Sequence, residues 1–367
     1  MLRLLQRLRP DSPMSGPARF NAFCAGAALA LFRCAHAAAP DPQAWSAAEA
    51  AFAADVARSS TLSADAVLAT LSQARYQQAI IDAMTRPAEA KPWKDYRPIF
   101  VTDRRIDDGV AFLEENSALL ARIEAETGVP AALIVTILGI ETNYGRATGR
   151  YRVLDALATL AFAYPPRQDF FRSELKQLFL LQGPAFPYPL EQLTGSYAGA
   201  MGWGQFMPSS ITNFARDGDH DGRIDLWTSR ADICASVANY FVAHGWQKGG
   251  AVAARATVAA DAKPLAPASL EPAYSLQQLD AWGYRIEARS TGAGPDSSKA
   301  EPKPAAARLD PMTPASMIVL DGADGPETWI TFENFYAITR YNRSPLYSLA
   351  VHQLSQAIAA GARGEAP

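Results

Sequence analysis

One glutamate stands at the end of an apolar stretch that is otherwise suited to burial. The segment 137–146, ILGIETNYGR, overlaps a nearly unbroken apolar run at 131–140 and places Glu141 directly after it. Pro130 favours a helix start and Gly145 a helix end, so the pattern predicts a helix with Glu141 in its last turn. Apolar neighbours and the negative end of the helix dipole favour a protonated carboxyl, as a general acid requires. A surface glutamate on an amphipathic helix is the alternative.

A glycine-rich segment downstream has the composition of a sugar-binding loop. Residues 195–210, GSYAGAMGWGQFMPSS, contain four glycines, which allow close backbone approach. Ser196 and Gln205 offer neutral hydrogen-bonding groups. Three rings offer flat apolar faces of the kind that stack on sugars, namely Tyr197, Trp203 and Phe206. No lysine follows the glycines, which excludes a phosphate loop. A glycine-rich turn that only packs helices is the alternative.

An acidic loop follows, with the spacing of a calcium site. Residues 217–227, DGDHDGRIDLW, open with the D-x-D-x-D-G pattern of calcium-binding loops, with Gly222 at the sharp turn. The candidate metal ligands are Asp217, Asp219, Asp221, Arg223 and Asp225. Thr228 replaces the glutamate usual at loop position 12, and Asp232 is a candidate substitute. The pattern predicts structural Ca²⁺, because calcium activates water poorly; a turn without metal is the alternative. No organic cofactor is predicted.

Helices must position these groups, and the sequence predicts a mainly α (α+β) protein. Helical, Ala-rich patterns fill a lobe at 42–120, and dense helices continue through a core at 121–250. Residues 331–360 return to the helical pattern and are expected to rejoin the core.

The section between them differs, and we expect a small α/β lobe at 251–330. A capping-box helix start lies at Ser275–Gln278, and SMIVLDGADGPETWITF indicates two short strands around a Gly/Asp turn. A Pro-, Ser- and Lys-rich stretch at about 290–312 predicts a mobile loop.

The N-terminus has the features of an export signal. Residues 1–37 combine arginines, an apolar run and the small-x-small site Ala35-His36-Ala37. An arginine before Cys34 argues against a lipid anchor, and no later apolar stretch is long enough to span a membrane. The sequence therefore predicts a periplasmic protein. Cleavage would leave Cys234 as a lone cysteine, expected to be a buried helical residue.

Composition narrows the function classes. The chain has 367 residues, of which 49% are hydrophobic, enough for two or three packed lobes. Removal of residues 1–37 leaves 29 basic and 36 acidic residues, a net charge of −7. A negative chain is a poor partner for nucleic acid. A monomer is expected.

Four ordered segments resemble the membrane-bound lytic transglycosylase B family of murein-cleaving enzymes. They are GVPAALIVTILGIETNYGR, GSYAGAMGWGQFMPSS, DGDHDGRIDLW running into ADICASVANYFVAHGW, and NFYAITRYNRSPLYSLAVHQL. The resemblance covers roughly residues 43–358 and is weak at 251–316. It implies a lysozyme-like helical core with an additional helical lobe. It also implies cleavage between N-acetylmuramic acid and N-acetylglucosamine without water, giving 1,6-anhydro-muramic ends.

The resemblance also implies roles for individual residues. Glu141 occupies the position of the family's single catalytic acid, which acts as acid and then as base. The implied substrate contacts are Ser196, Gln205, Tyr341, Asn342, Tyr347, Tyr96 and Arg167, with the arginine suited to a peptide-stem carboxylate. For Tyr341 and Tyr347, core packing with a satisfied hydroxyl is the alternative.

Two other functions compete with the transglycosylase. A murein hydrolase would use the same cleft but requires a second carboxylate. A non-catalytic wall-binding module has no need for an acid at the position of Glu141. The expected partners are peptidoglycan glycan strands, with cell-wall synthases as further candidates.

Overall fold

The computed structural model describes residues 40–86, 91–287 and 309–365 of the chain. The predicted export signal at 1–37 and most of the predicted loop at 290–312 lie outside these ranges. The described residues form mostly helices, with a five-stranded sheet and a two-stranded ribbon. The predicted mainly α (α+β) class is therefore confirmed.

Helices and strands follow one another in chain order. The helices are α1 (Pro42–Arg58), α2 (Ala64–Leu71), α3 (Gln78–Thr85), α4 (Trp93–Phe100), α5 (Asp103–Glu115), α6 (Ser117–Thr127), α7 (Ala131–Thr142), α8 (Val153–Ala163), α9 (Gln168–Leu180), α10 (Pro208–Phe214), α11 (Arg230–Ala243), α12 (Leu276–Ala281), α13 (Glu333–Tyr341) and α14 (Pro345–Ala362). The strands are β1 (Tyr151–Arg152), β2 (Thr194–Gly195), β3 (Ala253–Val258), β4 (Tyr274–Ser275), β5 (Tyr284–Ile286), β6 (Pro314–Gly322) and β7 (Gly325–Thr331).

One hydrophobic core forms where α1 to α3 pack with α8 and α9. Asp155 of α8 is buried, and its carboxylate accepts a hydrogen bond from the Arg75 backbone N–H at 2.9 Å. Thr159 Oγ1, one turn further along α8, accepts from the Gln77 N–H at 3.1 Å. Both bonds hold the connection between α2 and α3 against α8. They supply partners for backbone groups that packing would otherwise leave unsatisfied.

The second core surrounds α7, which packs against α5, α11 and α14. Because α7 is apolar on almost every face, it is stable only when other helices cover it on all sides. Cys234 of α11 is fully buried here, as expected, and burial raises its pKa to about 12. No single helix in the described ranges is long and apolar enough to cross a membrane. The pair α6 and α7, taken together, passes that test, with a bend of 112° between them.

The sheet has the strand order β4-β6-β7-β3-β5, with antiparallel neighbours. The predicted hairpin is confirmed, with Gly322 opposite Gly325 at its turn. Side chains alternate between the two faces: Ile318 joins the core around α7, whereas Met317 packs in a smaller core with α12. The predicted capping box at the start of α12 is also present. The sheet is thereby fixed to the helical core.

Candidate active site

The carboxyl end of α7 carries Glu141, so the predicted helix and the place of the acid in its last turn are confirmed. The chain leaves the helix through left-handed backbone at Asn143 (φ 51°), Tyr144 (φ 56°) and Gly145 (φ 80°). Such a turn persists only where surrounding contacts hold it. Tyr144 supplies one of them, because its Oη donates to the Arg105 carbonyl at 2.8 Å.

Tyr347 is the direct partner of Glu141. Its Oη donates a hydrogen bond to Glu141 Oε1 at 2.7 Å, and its side chain is only 1% exposed. Tyr347 lies in the first turn of α14, which Ser344 caps by accepting from the Tyr347 N–H at 3.4 Å. Glu141 itself is half-buried, so the carboxyl is supported on one side and keeps access to solvent.

Burial controls the ionisation of this carboxyl. It raises the pKa of Glu141 to about 7, although the hydrogen bond from Tyr347 lowers the pKa in part. Burial, and then the charge of Glu141, raise the pKa of both Tyr341 and Tyr347 well above the usual range, so both rings remain protonated. Within the described residues, no second carboxylate is among the groups that shift the Glu141 pKa. The site therefore holds one acid that is half-protonated near neutral pH.

Three of the predicted contact residues gather around Glu141. Tyr347 bonds it directly, and the Tyr341 ring is close enough for the Glu141 charge to shift its pKa. Tyr96 lies close enough to Tyr347 to contribute to the raised pKa of Tyr347. Tyr341 Oη donates to the Gly204 carbonyl at 2.7 Å, which joins the end of α13 to the glycine-rich loop. Both tyrosine hydroxyls are hydrogen-bonded, as the core-packing alternative also predicts. Tyr347 bonds Glu141 itself, and Tyr341 bonds the Gly204 carbonyl.

The glycine-rich loop folds back on itself in a tight backbone arrangement. Ser196 Oγ accepts from the Ala200 N–H at 3.0 Å, and its side chain is 3% exposed. Gln205 has a left-handed φ of 51°, and its Nε2 donates to the carbonyls of Thr148 and Gly202, each at 3.0 Å. The amide of Gln205 is thereby held in one orientation, while its side chain stays partly exposed.

The expected sugar-stacking faces of this loop are not present. Tyr197 and Phe206 are each 3% exposed, and Trp203 is 9% exposed. The glycines allow the backbone to turn so tightly that all three rings point into the hydrophobic cores. The stacking prediction for these rings is therefore wrong.

Asn342 and Arg167 are not among the groups that bond Glu141 or shift its pKa. Asn342 directly follows α13 and is half-buried. Arg167 precedes α9, with its guanidinium carbon 4.3 Å from the centre of the Phe170 ring. Burial lowers the pKa of Arg167 from its ordinary value. No described contact joins either residue to Glu141.

The acidic loop brings three carboxylates together. One oxygen from each of Asp217, Asp219 and Asp221 lies within 4.8 Å of the others. Gly222 has φ 86° and its N–H donates to Asp217 Oδ2 at 2.8 Å. Partial burial would raise the pKa of Asp217, but hydrogen bonds from the loop amides outweigh it, and the pKa is lowered. The loop thus presents carboxylate oxygens, the type of ligand that calcium prefers.

Asp225 and Asp232 lie outside this three-acid cluster. Asp225 Oδ1 accepts from the N–H groups of Trp227 and Thr228, each at 2.8 Å. Asp232, suggested as a substitute ligand, is 1% exposed and accepts from the N–H groups of Gly218 and Asp225, each at 2.7 Å. It therefore clamps the two halves of the loop together, a role that the sequence did not predict. Arg223 donates its N–H to Asp221 Oδ1 at 2.8 Å.

A half-buried acid with a pKa near 7, held by a tyrosine at the end of a core helix, fits an enzyme that cleaves glycosidic bonds by proton transfer, as lysozyme-like enzymes do.

Comparison with known proteins identifies the family. Residues 44–356 match the transglycosylase SLT domain. The chain is 40% identical over 305 residues to membrane-bound lytic murein transglycosylase B of Escherichia coli, covering 79% of this chain and 76% of that protein. The structure of soluble lytic transglycosylase SltB1 from Pseudomonas aeruginosa superposes with a TM-score of 0.75 at 41% identity, covering 86% of this chain and 99% of that one. The Escherichia coli lytic transglycosylase Slt35, in complex with calcium, gives a TM-score of 0.73 at 36% identity, with 86% and 94% covered. The chain therefore belongs to the transglycosylase SLT domain family and is a lytic transglycosylase that acts on peptidoglycan.

Proposed function

We propose that Glu141 is both the acid and the base of the reaction. The observation that carries this proposal is the single half-buried carboxyl with a pKa of about 7 and no described second carboxylate acting on it. A group half-protonated at neutral pH can donate a proton and later accept one. Hydrolases that retain or invert configuration need a partner carboxylate as nucleophile or base.

The reaction then proceeds in two proton transfers. Protonated Glu141 donates to the glycosidic oxygen between N-acetylmuramic acid and N-acetylglucosamine, and the C1–O bond breaks. The N-acetyl group of the muramic residue stabilises the cationic C1. The Glu141 carboxylate next removes the proton of the C6 hydroxyl, and O6 bonds to C1. Glu141 ends protonated, and the product carries a 1,6-anhydro ring without consumption of water.

The neighbouring tyrosine keeps the acid ready for both transfers. The Tyr347 hydroxyl, 2.7 Å from Oε1, orients one oxygen of Glu141 and leaves the other for the substrate. Because the hydrogen bond stabilises the carboxylate, it also moderates the rise in pKa caused by burial. Without it, the acid would give up its proton less readily.

The contacts to the glycan come from several elements. Gln205 and Tyr341 belong to or touch the glycine-rich loop, which supports contacts to sugar and N-acetyl groups, whereas the buried Ser196 supports the loop backbone that presents them. Tyr96 and Asn342 extend the cleft along α4 and the end of α13. Arg167 offers a cation for a carboxylate of the peptide stem, supported by the partial exposure of this residue.

The acidic loop fits a structural Ca²⁺ ion. Asp217, Asp219 and Asp221 would hold it through their carboxylates. Arg223, at loop position 7, would contribute its backbone carbonyl, and Asp225 occupies position 9. A calcium complex of the related Slt35 supports this proposal. The bound ion would supply positive charge that fixes the loop, with no part in the proton transfers.

The protein works on glycan strands in the periplasm, where its bacterial relatives act on the cell wall. Residues 1–37 serve as its export signal.

The products of murein digestion test this function. Purified murein is incubated with the mature protein or with Glu141→Gln, and the muropeptides are analysed by mass spectrometry. We expect anhydro-muropeptides, about 18 Da lighter than hydrolytic products through loss of water, from the wild type alone. Reducing muropeptides would identify a hydrolase, and anhydro products from the variant would remove Glu141 from its role.

A further inference from the structure

Trp203 lies against the turn that leaves Glu141. A Cβ atom at Gly145 would lie 2.0 Å from the indole ring, so the ring rests directly on that glycine. The Trp203 carbonyl accepts from Thr142 Oγ1 at 3.0 Å, and the same hydroxyl accepts from the Gly145 N–H at 3.1 Å. Thr142 is the residue after Glu141. Trp203 therefore holds both ends of the turn that begins at the acid.

The other side of Trp203 contacts the acidic loop and the helix that follows it. Its backbone N–H donates to the Leu226 carbonyl at 3.0 Å. The Arg230 guanidinium lies over the indole at 3.8 Å from the ring centre. The residue before Arg230, Ser229, donates its hydroxyl to Asp219 Oδ2 at 2.7 Å. Two separate contacts thus connect Trp203 with the acidic loop.

We propose that Trp203, with Arg230 stacked on it, is a positioning residue that couples the acidic loop to the catalytic glutamate. The inference rests on the proposed function of Glu141. Neither side chain has to touch the substrate, because both act through the turn at residues 142–145. An indole that is 9% exposed excludes water from behind that turn. The stacked cation keeps the indole in place.

Ordinary core packing and positioning predict different results. If Trp203 only fills space, replacing it or Arg230 lowers stability and leaves the chemistry of the folded fraction unchanged. If it positions Glu141, a looser turn admits water to the carboxyl and weakens the effect of burial. The Glu141 pKa then falls toward its ordinary value. Because the protonated acid starts the reaction, the alkaline limb of the pH–rate profile moves to lower pH.

The experiment compares Arg230→Gln and Trp203→Phe with a matched control. Lys263→Gln removes a similar cation, 4.7 Å from the Trp282 ring in the sheet lobe. For each full-length mature protein, kcat and KM on purified murein are measured across pH. The Glu141 pKa is measured by NMR of ¹³C-labelled glutamate carboxyls, assigned with Glu141→Gln.

We expect Arg230→Gln to lower kcat about threefold to tenfold, with little change in KM. The Glu141 pKa should fall in both site variants and stay unchanged in Lys263→Gln. Ser229→Ala, which removes the bond to Asp219, should shift the pKa in the same direction by less. No shift in Ser229→Ala would overturn the link to the acidic loop.

An unchanged Glu141 pKa in both site variants would overturn the positioning role, even if their activity fell with the folded fraction measured by circular dichroism. Failure of the proposed function looks different. The wild type would then give no anhydro products, while the NMR titration would still report whether Trp203 and Arg230 control the Glu141 carboxyl.

Discussion

Two acidic regions are both linked to Trp203, and the carboxyl group behaves differently in each. At the end of α7, burial raises the Glu141 pKa to about 7. In the acidic loop, hydrogen bonds outweigh desolvation and lower the pKa of two carboxyls: backbone N–H groups act on Asp217, and the Thr228 hydroxyl with backbone N–H groups acts on Asp225. One carboxyl is prepared to exchange a proton, and the others are kept ionised.

Burial and the number of backbone N–H donors together account for this difference. Glu141 accepts from one tyrosine hydroxyl, whereas Asp217 accepts from the N–H groups of Asp221 and Gly222, at 3.1 and 2.8 Å. A carboxylate at a helix C-terminus meets carbonyls, while a carboxylate inside a tight loop meets amides. Amide donors lower the pKa only where their effect exceeds that of desolvation, because Asp232 accepts two backbone N–H bonds and burial still raises its pKa.

Replacing the acid should have the largest effect. Glu141→Gln is expected to lower kcat by about 10³-fold or more, because both proton transfers use this carboxyl. Glu174→Gln is the matched control. Glu174 is also buried with a raised pKa, but it accepts from the Ser209 N–H and hydroxyl and is not among the groups that shift the Glu141 pKa. If both folded variants lost kcat equally, the loss would follow from replacing any buried glutamate, and Glu141 would have no special role in catalysis.

Removing the tyrosine hydroxyl should have the next largest effect. In Tyr347→Phe the carboxylate of Glu141 loses its donor, so its pKa rises and the alkaline limb of the pH–rate profile moves to higher pH. We expect kcat near the optimum to fall about tenfold, the worth of one buried hydrogen bond. Tyr284→Phe removes a comparable 2.8 Å bond to the Lys263 carbonyl and should leave the profile unchanged. A limb that stays in place or moves to lower pH would contradict this account.

The raised pKa also predicts how stability depends on pH. Below the ordinary pKa of 4.5, Glu141 is protonated in both the folded and the unfolded chain and has no effect. As pH rises toward about 7, the unfolded chain loses this proton first, which favours unfolding. Glu141→Gln should therefore unfold with a free energy at most about 3 kcal/mol higher than the wild type at pH 8, and equal at pH 4. Urea titrations at the two pH values test this, and a difference independent of pH would contradict it.

Local sequence patterns predicted the elements that carry the site. The run at 131–140 between Pro130 and Gly145 predicted α7 and its acid, because an apolar helix and its ends depend on nearby residues. The hairpin of β6 and β7 followed from the Gly/Asp turn between apolar runs in the same way.

Long-range contacts could not be predicted from such patterns. Tyr347 meets Glu141 across 206 positions of sequence, and Thr142 meets the Trp203 carbonyl across 61. Nothing near either residue indicates its partner. The aromatic rings of the glycine-rich loop were assigned to sugar stacking because the pattern gives residue types and not their direction. The sequence suggests Asp232 only as a candidate substitute ligand, because its role as a clamp depends on backbone N–H groups that only the folded loop brings together.

The acidic loop should show the smallest effect, and one substitution sharpens its contrast with Glu141. Thr228 is exposed, donates its N–H to Asp225 Oδ1 at 2.8 Å and bonds Asp225 Oδ2 through its hydroxyl. It supplies no carboxylate where calcium loops usually carry a bidentate glutamate. We expect a chelator to lower the wild-type Tm and added calcium to restore it, with Thr228→Glu needing about tenfold less calcium. Thr257→Glu, an exposed change in β3, controls for added charge. If neither the chelator nor added calcium changes the Tm of the wild type or of Thr228→Glu, the loop is a turn held by hydrogen bonds from its own amides, without an ion.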